Sequence, residues 1–476
     1  MRMKKMEICY LSAGQLSRLI KDKQVSPVEV INAHLERIEA LEPKLNSFIT
    51  LVSDQALDAA RRAEEEIQKG RYRGPLHGIP LGLKDLYFVK GIRNTSGSML
   101  FDSYVPDFDC TIAARFKEAG AILLGKLNLH QFAYGPTGEN PDYGDMHNPW
   151  NPGLIAGGSS GGSGSAAASG QCTLTMGSDT GGSIRIPSAL CGLAGLKPTY
   201  GRLSRYGLTV LSWCLDHPGP MTRTVEDCAL VMNAVSGFDP NDPASANVPV
   251  SDYTRALTGK VKGLRIGVPR EYFQVPLDPE VKDAVIKAID VLSDLGAEVK
   301  DVSWPMYLQA APISGTILMA EAAAYHSKII REQASRVYPP VRLRIETGFF
   351  IPAVDYIQAQ QARRLFNDQS RELLKRVDVL AGPTVPVTAF KIGTTTVKMG
   401  DSTVGAIPIL TQYTRPFNLN GFPAITAPCG FSEEGLPIGL QIAGRPFEEE
   451  VVLGAAFAYE QATEWHKRRP DIAQTG

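Results

Sequence analysis

The stretch Gly157–Pro187, GGSSGGSGSAAASGQCTLTMGSDTGGSIRIP, decides how the rest of the chain reads. Nine of the 26 residues from Gly157 to Gly182 are glycine, about five times the roughly 7% usual in proteins. A flexible linker would explain glycine and serine but not what lies between them. Ser163–Gly170 predicts a small-residue helix and Cys172–Met176 a short strand, after which a second glycine turn, Asp179–Gly182, delivers Ser183. Glycine at both mouths of a helix–strand unit predicts tight turns with exposed backbone N–H groups. Ser159 and Ser183 stand on these two turns, 24 positions apart.

Two other motifs overlap this stretch. Gly158-Ser159-Ser160-Gly161-Gly162 fits GxSxG, the nucleophile elbow, which would make Ser160 the nucleophile. That requires a strand directly before the serine and a downstream Asp and His. Pro152–Gly158 is a poor strand, and the seven histidines have no motif context. Gly162-x-Gly164-x-x-Ala167 fits a dinucleotide fingerprint, but the strand is again missing, and Asp179 lies in its own glycine turn.

GGSSGGS, the 24-residue interval and GSDTGGSIRIPSALCGLAGLKPT, with a lysine upstream in GIPLGLKD, resemble the amidase signature family over nearly the whole chain. The resemblance implies hydrolysis of acyl C–N bonds (amide, anilide or carbamate) through an acyl-enzyme, with a Ser–cis-Ser–Lys triad. Ser183 would be the nucleophile, Ser159 the bridging serine and Lys84 the base, and the Gly158–Ser159 peptide bond would be cis. Thr180, Gly181, Gly182 and Ser183 would supply the oxyanion hole, supported by Ser160, Asp179 and Arg185. The implied fold is α/β, a single domain with a large mixed β-sheet sandwiched between helices, and no cofactor. Homodimers are frequent among similar enzymes.

The residues fit that chemistry. A serine hydroxyl is a weak nucleophile and needs a base within hydrogen-bond reach. Apolar alternation around Ile79–Leu83 predicts a strand ending at Lys84, and burial would lower the ammonium pKa enough to leave a neutral amine near pH 7. Asp85 would oppose this unless it points the other way along the strand. Asp179 is expected to tie the glycine turn by accepting backbone bonds, and Arg185 to lock that turn. His130, Tyr134 and Trp150 read as packing or rim.

Forty-nine basic residues against 50 acidic give no field to attract nucleic acid, and no basic run suggests a membrane surface. Seven scattered cysteines, without CxxC or HExxH, indicate neither a disulfide framework nor a metal site. No apolar run has signal-peptide or membrane-spanning length. The expectation is a soluble, cytoplasmic enzyme.

Three segments follow: a helical arm over about 1–70, a core over about 71–235 and a pocket-bearing part over about 236–476. In the arm, Ser26-Pro27-Val28-Glu29 is a capping box opening a helix, and a second helix fits Asp54–Lys69. Cys110–Ala119 with Ala121–Leu127 reads as helix then strand. Leu264–Val268, Val281–Leu295 and Glu298–Trp304 read as β-α-β. Helices fit 309–335, 353–376 and 450–463. Strands fit Val377–Leu380, Ala424–Pro428 and Pro437–Ala443, and 384–408 reads as loop. Alternating strands and helices mean a layered α/β fold.

Relatives of this kind include the glutaminase component of tRNA-dependent amidotransferases, which shares a run like Asn418–Pro423. Burying the α-ammonium of glutamine needs a carboxylate, and such relatives supply an acid shortly before that run. Here the matching position is Thr411, with Arg415 close behind. The sequence thus leads to the expectation of a stand-alone amidase acting on small-molecule amides or carbamates without an α-ammonium, needing neither nucleic acid nor a partner subunit.

Overall fold

The computed structural model describes residues 5–400 and 402–472. The capping box does open the long arm helix, Pro27–Leu45. Ser26 Oγ accepts the Glu29 N–H at 3.1 Å and the Glu29 carboxylate accepts the Ser26 N–H at 3.0 Å.

Along the chain, β1 (Phe48–Leu51), β2 (Pro80–Lys84), β3 (Ile122–Leu127), β4 (His147–Asn148) and β5 (Asn151–Ile155) come first. β6 (Leu174–Asp179), β7 (Ala194–Lys197), β8 (His217–Thr222), β9 (Arg265–Pro269) and β10 (Glu298–Val302) follow. The last are β11 (Val379–Pro383), a hairpin of β12 (Thr396–Met399) and β13 (Ser402–Gly405), then β14 (Ala424–Phe431) and β15 (Pro437–Gly444). Eleven of these strands form one mixed sheet in the order β1-β3-β2-β6-β8-β7-β14-β15-β11-β9-β10, sandwiched between helices. Strands from all three segments of the chain therefore join the same sheet.

The sequence missed several elements, each for a physical reason. β1 is only four residues long and sits between two helices at the sheet edge. β8 reads HPGPMT, and proline argues against a central strand. Successive N–H groups of a strand point to alternate neighbours, so Pro218 and Pro220 lose donors on one side only. The ladder to β6 accordingly spans six register pairs and that to β7 two. Helix Pro339–Gly348 was not read because its apolar positions make no clear period. The loop expected over 384–408 contains the β12–β13 hairpin, and 309–335 divides into helices Ala310–Tyr325 and Ser327–Gln333.

Every residue of β2, β6 and β8 is buried, so neither face of these strands meets solvent. The all-small helix Gly161–Ala168 covers them closely. A Cβ on Gly162 would lie 2.4 Å from the Ser47 carbonyl oxygen and 2.5 Å from that of Asn128, so no side chain fits. We expect Gly162→Ala to destabilise the fold by roughly 1–3 kcal/mol or more through overpacking. A thermal melt that leaves Tm unchanged would refute this close approach.

Candidate active site

β2 and β6 are parallel neighbours, with Leu83 opposite Met176, so their C-terminal ends emerge at one edge. Lys84 ends β2, and Ser178 with Asp179 ends β6. Lys84 is fully buried, its Nζ 2.7 Å from Ser159 Oγ, 3.0 Å from Ser160 Oγ and 2.9 Å from Ser178 Oγ. Burial pulls its pKa down to about 7 against the upward pull of Asp216 and Asp179. Asp85 is turned away as expected. Its carboxylate takes Lys126 Nζ at 2.8 Å and the Thr95 N–H at 2.9 Å.

Three hydroxyls around one nitrogen suit a neutral amine, which donates two hydrogen bonds and accepts one. The Ser160 hydroxyl donates to the Ser178 carbonyl at 3.2 Å, so its proton is already committed. Ser159, the nearest of the three, can aim its proton at Nζ. The Gly158–Ser159 peptide bond is cis.

Asp179 builds the turn that carries Ser183. It accepts the N–H groups of Gly182 at 2.8 Å, Ile184 at 3.1 Å and Arg185 at 3.3 Å. The Arg185 guanidinium grips the same carboxylate through Nε at 3.0 Å and Nη2 at 2.9 Å. Burial alone would raise the Asp179 pKa, but Arg185 overrides it and holds the carboxyl well below the usual range. Arg185 also donates to Gln441 at 2.8 Å and to Asn418 at 2.7 Å, so it is a lock within the fold.

One oxyanion-hole expectation changes here. The Gly182 N–H is committed to Asp179, whereas among the described residues those of Thr180, Gly181 and Ser183 have no acceptor. Gly182 serves by conformation instead. Its φ is +133°, and a Cβ would lie 2.3 Å from Thr414 Oγ1. Thr180 is fixed from behind, its hydroxyl donating to Asp216 at 2.6 Å.

Ser183 opens onto a cavity of about 140 Å³ that Thr180, Gly181, Tyr134, Thr411, Arg344 and Arg415 also line. Larger surface hollows lie elsewhere, and none of them contains Ser159, Ser183 or Lys84. Ser159 and Lys84 do not line this cavity, and Lys84 meets Ser178 at the end of β6, one residue before the Asp179 that holds the Ser183 turn. Among the described residues the Ser183 hydroxyl makes no hydrogen bond of its own. Such contacts are often loose in unliganded sites and tighten once substrate binds.

Tyr134 is a cavity wall, while Trp150 is packing, donating from Nε1 to the Cys191 carbonyl at 2.9 Å. His130 is buried beside Tyr338 and does not line the cavity. Sequence reasoning missed Ser178, Asp216 and Arg344. Ser178 could have been found, since it stands directly before Asp179 on the same strand. Asp216 and Arg344 carried no motif.

Removing one partner of a buried, hydrogen-bonded ion pair costs about 3–5 kcal/mol. Asp179→Asn should therefore destabilise the chain by that order and loosen the Ser183 turn. Denaturant unfolding with a loss below about 1 kcal/mol would contradict this role.

The sequence model of the family described as Amidase matches residues 29–453. The chain is 44% identical over 472 residues to the glutamyl-tRNA(Gln) amidotransferase A-subunit of Roseiflexus sp. (strain RS-1), covering 94% of this chain and 96% of that one. It superposes on the crystal structure of a bacterial aryl acylamidase with a TM-score of 0.89 at 28% identity, covering 97% of this chain and 98% of that one. On the glutamyl-tRNA(Gln) amidotransferase A-subunit of Thermotoga maritima the TM-score is 0.77 at 34% identity, with 98% and 95% covered.

These relatives correct the expectation of a small-molecule enzyme, stand-alone or homodimeric, with no nucleic acid in its chemistry. The amidotransferase relatives are subunits, and of an enzyme named for glutamyl-tRNA. The charge balance misled because it describes one chain, and says nothing of a surface that another polypeptide supplies. No described helix is long and apolar enough to cross a membrane. By its matched sequence over residues 29–453 and its relatives, the chain belongs to the amidase signature family and is an amidohydrolase.

Proposed function

We propose that the chain cleaves an amide C–N bond through an acyl-enzyme on Ser183, as the amide-hydrolysing component of an amidotransferase-type assembly. The observation that carries the chemistry is Lys84, buried, with a pKa near neutrality, 2.7 Å from Ser159 and 2.9 Å from Ser178, the residue before the Asp179 that holds the Ser183 turn. The role within an assembly is supported by 44% identity to an amidotransferase A-subunit over 94% of the chain.

Ser183 Oγ attacks the carbonyl carbon as its proton passes to Ser159, and the Ser159 proton passes to Lys84. The carbonyl oxygen, now negative, is met by the N–H groups of Thr180, Gly181 and Ser183. The tetrahedral adduct collapses, the C–N bond breaks, and Lys84 returns a proton through Ser159 to the leaving nitrogen. Water then attacks the acyl-enzyme over the same relay, releasing the carboxylic acid and restoring Ser183.

A fluorophosphonate should label the peptide containing Ser183, as read by mass spectrometry; an adduct on Ser159 or Ser160 would restore the elbow reading. Below about pH 7 Lys84 is protonated and cannot accept a proton, so kcat/KM should rise with pH and level off above that value. Lys84→Met should lower the acylation rate by roughly 10²–10⁴-fold. A profile flat from pH 5 upward would remove lysine as the base. For the role within an assembly, the chain should co-elute with the remaining subunits of a glutamyl-tRNA(Gln) amidotransferase in size-exclusion chromatography. Elution strictly alone would overturn it.

A further inference from the structure

Asp216 stands directly before β8, whose His217 is the register partner of Asp179 at the end of β6. That pairing sets Asp216 beside the first residue of the glycine turn. Its Oδ1 accepts the Thr180 hydroxyl at 2.6 Å. The same carboxylate turns back on its own loop, accepting the Leu211 N–H at 2.8 Å and the Ser212 N–H at 3.1 Å. An ionised carboxylate uses all of these donors.

A second acid holds the loop from its outer side. Glu321, on helix Ala310–Tyr325, accepts the Ser212 hydroxyl, the Cys214 N–H at 3.2 Å and the Tyr356 hydroxyl at 2.9 Å. The loop thus lies between two carboxylates, and Asp216 is the one that also grips the turn. Leu211 and Thr180 both line the cavity beside Ser183.

Two consequences reach the reaction. The Thr180 N–H has no acceptor among the described residues and is one of the donors facing the developing oxyanion. Turning that peptide away from the cavity would pull the Thr180 hydroxyl off Asp216. The other consequence concerns Lys84, on which Asp216 and Asp179 act as opposite charges. Asp179 is paired with Arg185 at 2.9 Å and Asp85 with Lys126 at 2.8 Å, while burial keeps the nearby His130 neutral. Asp216 has no ion pair of that kind among the described residues. Arg205, whose charge it feels, is paired with Asp242 at 3.3 Å. Its negative charge is therefore the least cancelled of the three.

We propose that Asp216 is a positioning residue serving both ends of the relay: through Thr180 it fixes a donor of the oxyanion hole, and its uncancelled charge steadies the Lys84 ammonium formed when Ser159 hands on its proton. Asp216 itself stays ionised throughout and exchanges no proton. This rests on Ser183 being the nucleophile.

The test is the rate at which a fluorophosphonate labels the purified full chain, followed across the rising limb of the pH profile and its plateau. Thr180→Val keeps the carboxylate but removes the anchor, and should lower the plateau by roughly 10-fold, short of the 10²–10³ lost with an oxyanion donor itself. Thr180→Ser should recover most of that loss. Asp216→Asn removes the charge that favours the ammonium, so the Lys84 pKa falls and the limb moves to lower pH. Glu321→Gln loosens the same loop without acting on Lys84, and should leave the limb where it is.

A limb that stays in place in Asp216→Asn overturns the inference, as does a plateau that Thr180→Val leaves untouched. A limb that moves equally in Glu321→Gln also overturns it, since loosening of the loop would then account for the shift. Circular dichroism separates misfolded variants from informative ones, and Asp216→Ser carries the same expectation for the limb if Asp216→Asn does not fold. Labelling that survives Ser183→Ala, or a flat profile in the unaltered chain, overturns the underlying reading instead.

Discussion

The structure around the cavity depends on one buried carboxylate. Asp179 accepts six hydrogen bonds: three from backbone N–H groups of its own turn, two from Arg185 and one from Asn418 Nδ2. An ionised carboxylate survives full burial only when paired and saturated in this way. The turn thereby acquires a fixed shape without any regular secondary structure. Because Asn418 and Gln441 hold the far side of Arg185, the turn is also tied to β15 and the helix beside β14. The Asp179–Arg185 pair thus joins the β7–β14 strand pairing in coupling the sheet centre to the C-terminal part.

That pairing has an electrostatic consequence for Lys84. A bare carboxylate so near would hold the ammonium charged, as the upward pull of Asp179 on Lys84 indicates. With Arg185 bound to it, Asp179 presents a dipole more than a charge. Burial between β3, β2 and β6 then prevails, and the lysine pKa falls to about 7. Asp85 is neutralised in the same manner on the opposite face by Lys126, at 2.8 Å. Asp179 and Asp85 are each matched to another cation, while Asp216, the larger upward pull on Lys84, is held by the Thr180 hydroxyl and the Leu211 and Ser212 N–H groups.

The sequence made the Lys84, Ser159 and Ser183 side of the candidate site legible because its constraints are local. Glycines at positions 157–162 and 181–182, an acid that binds the turn after it, and a lysine ending an apolar strand all lie within about a hundred residues of chain, and each has a nearest-neighbour reason. The Pro27–Leu45 helix was readable from its capping box, and the Gly120 helix end from its position between helix and strand, where φ is +81°. What was not legible depends on distant segments meeting. Pro218 and Pro220 sit in a central strand because β7 pairs with only its end. Arg344 belongs to a helix without clear amphipathic spacing, and nothing near it in sequence indicates that it faces Ser183. The error about partners has the same root, since composition describes one chain and an interface belongs to two.

The proposed relay and the cavity wall that faces it are thus built on different parts of the molecule. Lys84, Ser159 and Ser183 stand on β2 and the turns flanking the helix–strand unit of β6, whereas Arg344, Thr411 and Arg415 come from C-terminal helices that form the opposite cavity wall. The lysine pKa is set by its burial and by Asp216 and Asp179, with no contribution from either cavity arginine. Charge on the wall can therefore change without retuning Lys84, because burial and not the facing wall fixes its protonation. A family built this way can keep one hydrolytic relay and exchange the groups that select the amide. That is consistent with one chain resembling both an aryl acylamidase and amidotransferase subunits over nearly its full length.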